Sequence, residues 1–458
     1  MKDRFGFDWS GIAGTLPWRK PHLSRRVFFR HAAAALGGYT LLPTRPMETV
    51  ARAATPIAKA KHCIFVLLNG GASHTDTFDL KEGAWLPANF QPTSFNGVRF
   101  ARGLMPKLAD QMDSIAFVRS VRSWAAVHEL ARNWVQIGRN PTASTSRIAP
   151  HIGSVVSLEL SRKGQTLPAF MALNTGDNIP GPGYLPPDHS PFFVSPGGGG
   201  LGNTTHRDGI PAFDRRLDLL LKLEADDRAA NDAGPAPGEM RQFNLSAINL
   251  MYNAAVDRVF TFSAAERTQY GNTAFGNACI TARNLIRSDL GTRFVMINIG
   301  GWDNHAGIYG GAFNAGNANS LTRQFDSGLG ALIADLKAAN ALDETLIVVM
   351  GEFGRTVGAL NTQGGRDHFL QQAVMFAGAG IRGPKTIGAT DNLGSLTTEP
   401  GWGRERDVRA EDIEATIYSA LGIDWTTVRR DDPLGRGFEY VPFAASQDLY
   451  GPVHELWG

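Results

Sequence analysis

The chain has 458 residues, 43% hydrophobic and 19% charged, an ordinary globular balance that argues against a low-complexity or disordered protein. Its formal net charge of +2 is unevenly placed: residues 1–53 carry nine Lys/Arg against three Asp/Glu, so the remainder has 36 basic against 40 acidic groups. A mildly acidic body gives no electrostatic case for nucleic acid, and no run of about 20 apolar residues suggests a stable membrane span.

The N-terminal segment reads as an address. Ser24-Arg25-Arg26-Val27-Phe28-Phe29-Arg30 has the form of a twin-arginine export signal, followed by the short apolar stretch Ala32 to Leu42 and the small-x-small site Ala51-Arg52-Ala53. The expectation is a leader over 1–53 that engages the twin-arginine translocase, and a mature periplasmic or extracellular domain over 54–458.

In the body, Cys63 to Leu68 is a continuous apolar run, the pattern of a fully buried strand. It ends in Asn69-Gly70-Gly71-Ala72-Ser73-His74-Thr75-Asp76. A second strand is expected over Ser114–Val118, ending at Arg119-Ser120, then a polar helical stretch through His128, Arg132 and Asn133. Residues 177–205 read as a long Pro/Gly-rich loop, a lid or a mobile segment, and 226–240 as a polar linker. Helices are expected near 213–225, 245–260, 263–270 and 274–288, and from about Leu321 to Asn340, where Phe325, Leu329, Leu332, Ile333 and Leu336 recur at three- and four-residue spacing. Strands follow at Phe294–Ile299, Thr345–Met350 and Gln372–Gly378, and a last helix at Ala410–Leu421 with Gly422 as its stop signal. Alternating strands and helices argue an α/β fold with a parallel sheet. The two cysteines, Cys63 and Cys279, sit in apolar segments and read as buried free thiols.

Three motifs at strand ends carry the chemistry: Gly301-Trp302-Asp303-Asn304-His305, Gly351-Glu352-Phe353-Gly354-Arg355-Thr356 and Gly365-Arg366-Asp367-His368. Carboxylate and imidazole together at such ends suit a divalent metal. Asp303 and His305 read as ligands on a curled loop, or else as a cap and a solvated imidazole. Glu352 reads as a ligand or as the buried partner of Arg355. Asp367 and His368 extend the set, and Asp76, with His74 beside it, is a further candidate ligand. Ser120 and Ser123 follow the second strand and read as nucleophiles or helix caps; His128 reads as ligand, base or nucleophile.

These stretches, in this order, resemble domain-of-unknown-function family 1501, placed in the alkaline phosphatase/sulfatase-like superfamily. The matching segments are Asn69–Asp79 with Lys81, Val118–Ser120, Tyr270–Gly276, Ala282–Ile286, Gly300–His305, Asp335-Leu336, Glu344–Thr356, Gly365–His368, Gly388–Asp391 and Ala415–Asp424. The resemblance implies a three-layer sandwich with a large, mostly parallel sheet. It implies metal-dependent hydrolysis of phosphate or sulfate esters, on a small ester or glycan substrate, with a divalent ion (Zn, Ca, Mg or Mn). Residue by residue, the resemblance implies Asp76, Asp303, His305, Glu352 and His368 as metal residues and Ser120 or a nearby group as the nucleophile; the residues themselves add Asp367 to the metal set and His128 as the rival nucleophile, with Arg355 and Arg366 able to neutralise the ester oxyanion. The chain departs from the superfamily pattern at Asn69, where an acidic residue normally stands, and at Phe353, where many relatives have a second ligand. One metal site is therefore better supported than two. A non-catalytic binding or structural protein of the same fold is the competing expectation.

Overall fold

The computed structural model describes residues 55–176, 179–230, 247, 248 and 250–458, with the side chains of 226–230 left aside; the leader expectation over 1–53 and most of the linker expectation fall outside these residues. Its centre is a strand of seven buried residues, β1 (His62–Leu68). Successive side chains of a strand point to opposite faces, and β1 follows this: Ile64, Val66 and Leu68 enter one core, and Cys63, Phe65 and Leu67 the other.

Seven more strands complete the sheet: β2 (Ile115–Arg122), β3 (Phe170–Leu173), β4 (Phe192–Val194), β5 (Phe294–Ile299), β6 (Thr345–Gly351), β7 (Gln371–Gly378) and β8 (Lys385–Ile387). The order is β8-β2-β7-β6-β1-β5-β3-β4. Every pairing is parallel except the two made by β7, which is antiparallel to β6 and β2. The parallel expectation therefore fails at one strand. Parallel strands need a crossover, usually a helix, and between Gly351 and Gln371 there is none. The chain turns back through a two-residue ribbon, His368–Phe369 against Gly354–Arg355.

Helices cover both faces, so the fold is a three-layer α/β sandwich. On one side lie α4 (Ala254–Phe260), α6 (Ala274–Ser288) and α7 (Leu321–Ala338); on the other lie α1 (His128–Ile137), α2 (Ile152–Leu160) and α8 (Ala410–Ala420). Two further helices are α3 (Ile210–Ala230) and α5 (Ala264–Gln269), and single turns of helix lie at Pro106–Ala109 and Ala444–Gln447. The 213–225 expectation is thus short of the observed helix, and within 245–260 the described residues Ala247, Ile248 and Leu250 are helical and a separate helix runs Ala254–Phe260. Segment 177–205 is not all loop, since it supplies the edge strand β4, in register with Met171–Leu173. Cys63 and Cys279 are both buried free thiols and belong to opposite cores. Among the described residues no helix is long and apolar enough to cross a membrane.

The register sets the position of the site. Leu68 pairs with Ile299 on one side and Gly351 on the other, so β1, β5 and β6 end level. Because β7 runs the other way, it starts where β6 stops, and Gln371 lies opposite Arg122 at the end of β2. Five adjacent strands therefore deliver the segments at 69–71, 123–128, 300–305, 352–355 and 366–370 to one rim, the usual location of ligand sites in open α/β sheets.

Candidate metal centre

Three segments are laced together at this rim. The Arg366 amide donates to Asn304 O at 3.0 Å, the Ile308 amide to Gly364 O at 2.9 Å, and Ala306 bridges Gly364. This lacing requires a residue without Cβ at 365, since a methyl there would stand 2.0 Å from the His305 carbonyl carbon. The same applies at Gly70, whose φ of +108° is in the region only glycine favours; a Cβ there would lie 2.6 Å from the Asp303 amide. The Asp303 loop and the His368 ribbon are thus held against the end of β1.

The side chains converge on Asp303 Oδ1. Its neighbours are His305 Nε2 at 2.9 Å, His128 Nε2 at 3.4 Å and His368 Nε2 at 3.5 Å. His305 Nε2 and His368 Nε2 are 3.1 Å apart. One atom each from His128, Asp303 and His368 lie within 4.8 Å of one another. His128 contributes as the first residue of α1, and His368 from the ribbon before β7.

Each imidazole has its other nitrogen tied to an acceptor. His128 Nδ1 donates to Glu352 Oε1 at 3.0 Å, His305 Nδ1 to Asp367 Oδ1 at 2.6 Å, and His368 Nδ1 to the Ala126 carbonyl at 2.9 Å. A neutral imidazole with its proton on Nδ1 has a bare lone pair on Nε2. Two such nitrogens 3.1 Å apart repel, and the guanidinium of Arg355, 3.4 Å from His305 Nε2, offsets only part of this; a cation between them, or a proton on one of them, removes the repulsion. The spacing suits an ion: ligand atoms at about 2.0–2.1 Å from a tetrahedral metal stand roughly 3.3–3.4 Å apart. The donor set of His128, Asp303 and His368, with His305 beside it and outer acceptors fixing each ring, suits a transition-metal ion. The residues present therefore fit a divalent ion. The group is open to solvent on its outer side, with side-chain exposures of 45% for Asp303, 41% for His305, 30% for His128 and 27% for His368. Phe353 closes the inner side, its ring centroid 4.9 Å from that of His128 and 4.6 Å from that of His368.

Glu352 stands behind this set. It is fully buried; Oε1 accepts from His128 and from the Gly70 amide at 2.5 Å, and Oε2 has no partner. Its place is that of an orienting carboxylate, which corrects its assignment as a ligand. Asp367 has the same position relative to His305 and is further fixed by Asn361 Nδ2, 3.3 Å from Oδ2. The His305 hydrogen bond, with that of Asn361, holds the Asp367 carboxyl below the usual carboxylate range. At Asp303 burial pushes the pKa up, but the Arg355 hydrogen bond and charge, with His128 and His305, outweigh it and leave the group an anion.

Arg355 and Arg366 do not face an incoming oxyanion. Arg355 is 1% exposed, and its donors serve Gly71 O at 2.9 Å, Gly70 O, Arg366 O at 3.1 Å and Asp303 Oδ1 at 2.6 Å. It is a strut that fixes Asp303. Arg366 is fully buried, paired with Asp76 at 2.7 Å and bonded to Thr356 O and Gly358 O. That pair takes Asp76 out of the metal set: its oxygens are used by Arg366, by Ser73 Oγ at 2.6 Å and by Tyr309 at 2.8 Å. His74 is buried against Phe369 with Nε2 on Gly394 O, and burial lowers its pKa. Ser120 donates to Pro400 O at 2.7 Å and Ser123 to Glu352 O at 3.0 Å, so neither hydroxyl turns toward the cluster. Of the sequence candidates, Asp303, His305, His368 and His128 meet; Glu352, Asp367 and Arg355 support them; Asp76, Arg366 and Ser120 lie elsewhere. Sequence reasoning missed Asn361 and the Ala126 carbonyl, and no local motif marks either.

The chain belongs to the family described as "Protein of unknown function (DUF1501)", whose model matches residues 60–441. A search of curated proteins finds no similar sequence. Among solved structures the chain is similar to the PsFucS1 sulfatase from Pseudoalteromonas sp., at 14% identity and a TM-score of 0.38, over 87% of this chain and 72% of that one. It is also similar to an alkaline phosphatase superfamily protein from Vibrio parahaemolyticus, at 12% identity and a TM-score of 0.36, over 81% and 69%. A third is the alkaline phosphatase of the Antarctic bacterium TAB5, at 16% identity and a TM-score of 0.32, over 71% and 93%.

Proposed function

We propose that this member of family 1501 is an exported, divalent-metal-dependent hydrolase of phosphate or sulfate esters that works at the Asp303 cluster. The observation that carries the reading is the convergence of three Nε2 atoms on Asp303 Oδ1, each ring fixed through Nδ1. Three imidazoles favour zinc over calcium or magnesium, which prefer oxygen donors. A bound divalent ion would supply Lewis acidity toward an ester oxygen and toward water. The chain's own residues do the rest. Glu352, Asp367 and the Ala126 carbonyl keep the lone pairs aimed inward, Arg355 fixes the Asp303 carboxylate, and Phe353 excludes water from the inner side. With both serine hydroxyls bonded to backbone carbonyls, the attacking group in this reading is water. Export is supported by the Arg25-Arg26 signal pattern and the apolar stretch after it.

One observation favours the competing reading, a binding protein with a structural ion: the donors of both site arginines are already used inside the protein. The test is to purify the mature protein and His368→Ala, quantify bound metals, and assay aryl phosphate and aryl sulfate esters. Stoichiometric metal and turnover, both lost in the variant, support the hydrolase. Metal without turnover assigns a structural ion, and no metal even after reconstitution removes both readings.

A further inference from the structure

A second concentration of unused chemistry lies at the far end of α1. That helix starts with His128 in the metal cluster and ends at Ile137; ten residues span about 15 Å. Two residues on, Arg139 lines a cavity of about 470 Å³ together with Arg430, Arg436, Phe438, Glu439 and Phe443. This volume is in the range of small-molecule sites.

The charge in the cavity is one-sided. Arg139 is buried, its ring-facing side packed over Phe438 at 4.0 Å, and its Nη2 donates to Glu439 O at 2.8 Å and Tyr440 O at 2.7 Å. Those bonds fix the guanidinium while its Nη1 has no partner among the described residues. Among the described residues neither Arg430 nor Arg436, both exposed, has a carboxylate within ion-pair distance; of the two acidic residues between them, Asp431 is taken by Arg429 and Asp432 by the backbone amides of Leu434, Arg436 and Gly437. The single carboxylate of the lining, Glu439, is used by the amides of Phe443 and Ser446. Phe443, at φ +58°, is in a conformation unusual for a bulky residue and presents a half-exposed ring at the rim. Strained residues held by surrounding hydrogen bonds cluster at ligand sites.

We infer that the C-terminal segment holds a second binding site, for a small organic ligand carrying phosphate, sulfate or carboxylate oxyanions, in the cavity between Arg139, Arg430 and Arg436. Guanidinium forks match such groups in a bidentate manner, and Phe443 offers an apolar face for the rest of the ligand. The site is independent of the proposed hydrolysis.

The test is calorimetric titration of the mature protein with inorganic pyrophosphate and, separately, with citrate. Three proteins are compared: wild type, the double variant Arg430→Ala with Arg436→Ala, and His368→Ala. Removing two charged hydrogen-bond donors weakens binding at least about tenfold, and the affinity is unchanged in His368→Ala. The stronger of the two anions distinguishes a phosphate-type from a carboxylate ligand. Binding that survives the double variant, binding lost only in His368→Ala, or no binding of either anion at millimolar concentration overturns the assignment. If the double variant does not fold, Arg430→Lys and Arg436→Lys keep charge and remove the fork, and the same comparison applies.

Discussion

Glu352→Gln separates an orienting carboxylate from a ligand. The substitution keeps the volume and an acceptor for the Gly70 amide, but removes the charge that holds the His128 Nδ1 proton. Losing the outer partner of a metal-binding imidazole costs about 10–100-fold in affinity, or roughly 1.4–2.7 kcal/mol. The structure points to the upper end. Glu352 is fully buried, so no water replaces the lost contact, and an amide NH2 turned toward Nδ1 would force the proton onto Nε2, against the ion. The metal-free protein should not lose stability, because the change removes a buried charge whose Oε2 is unpartnered. The assay is zinc competition against a chelating dye, with thermal melts of the metal-free forms. A dissociation constant within twofold of wild type would refute the role of Glu352 behind His128. A loss of affinity accompanied by an equal loss of fold would refute the claim that the effect is local.

Asp76→Asn is the contrasting case. It leaves Arg366 buried without a charged partner, so a loss of about 3–5 kcal/mol in chemical denaturation is expected, with zinc affinity unchanged in the folded protein. Gly365→Ala places a methyl within 2.0 Å of the His305 backbone, so it should lower both zinc affinity and melting temperature; a variant equal to wild type in both would show that the lacing does not hold the site. Burial raises the Glu414 carboxyl to about 8, against Arg139 and the Tyr418 hydroxyl, which lower it. The folded state then keeps a proton that the unfolded chain releases near its ordinary value, so this group's contribution to stability falls as pH rises from about 4.5 to about 8. In Glu414→Gln that part of the decline is absent from pH-dependent denaturation, and an unchanged slope would refute the assignment. Both cysteine thiols should stay unreactive to a thiol reagent until unfolding, since burial raises the pKa of each.

Five of the eight sheet strands were legible because a fully buried strand leaves a continuous apolar run, as at Cys63–Leu68 and Thr345–Met350, and their ends marked where Asp303 and Glu352 would emerge; Phe170–Leu173, Phe192–Val194 and Lys385–Ile387 were not, being only three or four residues long. Direction was not legible at Gln371–Gly378, because a buried strand reads the same both ways and only the absence of a crossover helix reverses it. At the site, residue type could not distinguish a ligand from its support. Asp76 and Asp303 are both acidic residues after a central strand, but Arg366 reaches the first and the imidazoles reach the second. His128 showed no metal spacing in sequence, since its approach depends on the end of β2 lying beside the start of β7.

The position of Arg355 bears on how the centre behaves when empty. A cluster of lone pairs around a carboxylate would ordinarily spring apart without its ion. Here a guanidinium already touches the carboxylate and approaches His305 Nε2 at 3.4 Å, so a resident positive charge stands in for part of the ion's field. If the site takes up a divalent ion, as proposed, that ion would replace part of the arginine's hold on Asp303, and a monovalent ion would offer Asp303 no more charge than the arginine already does.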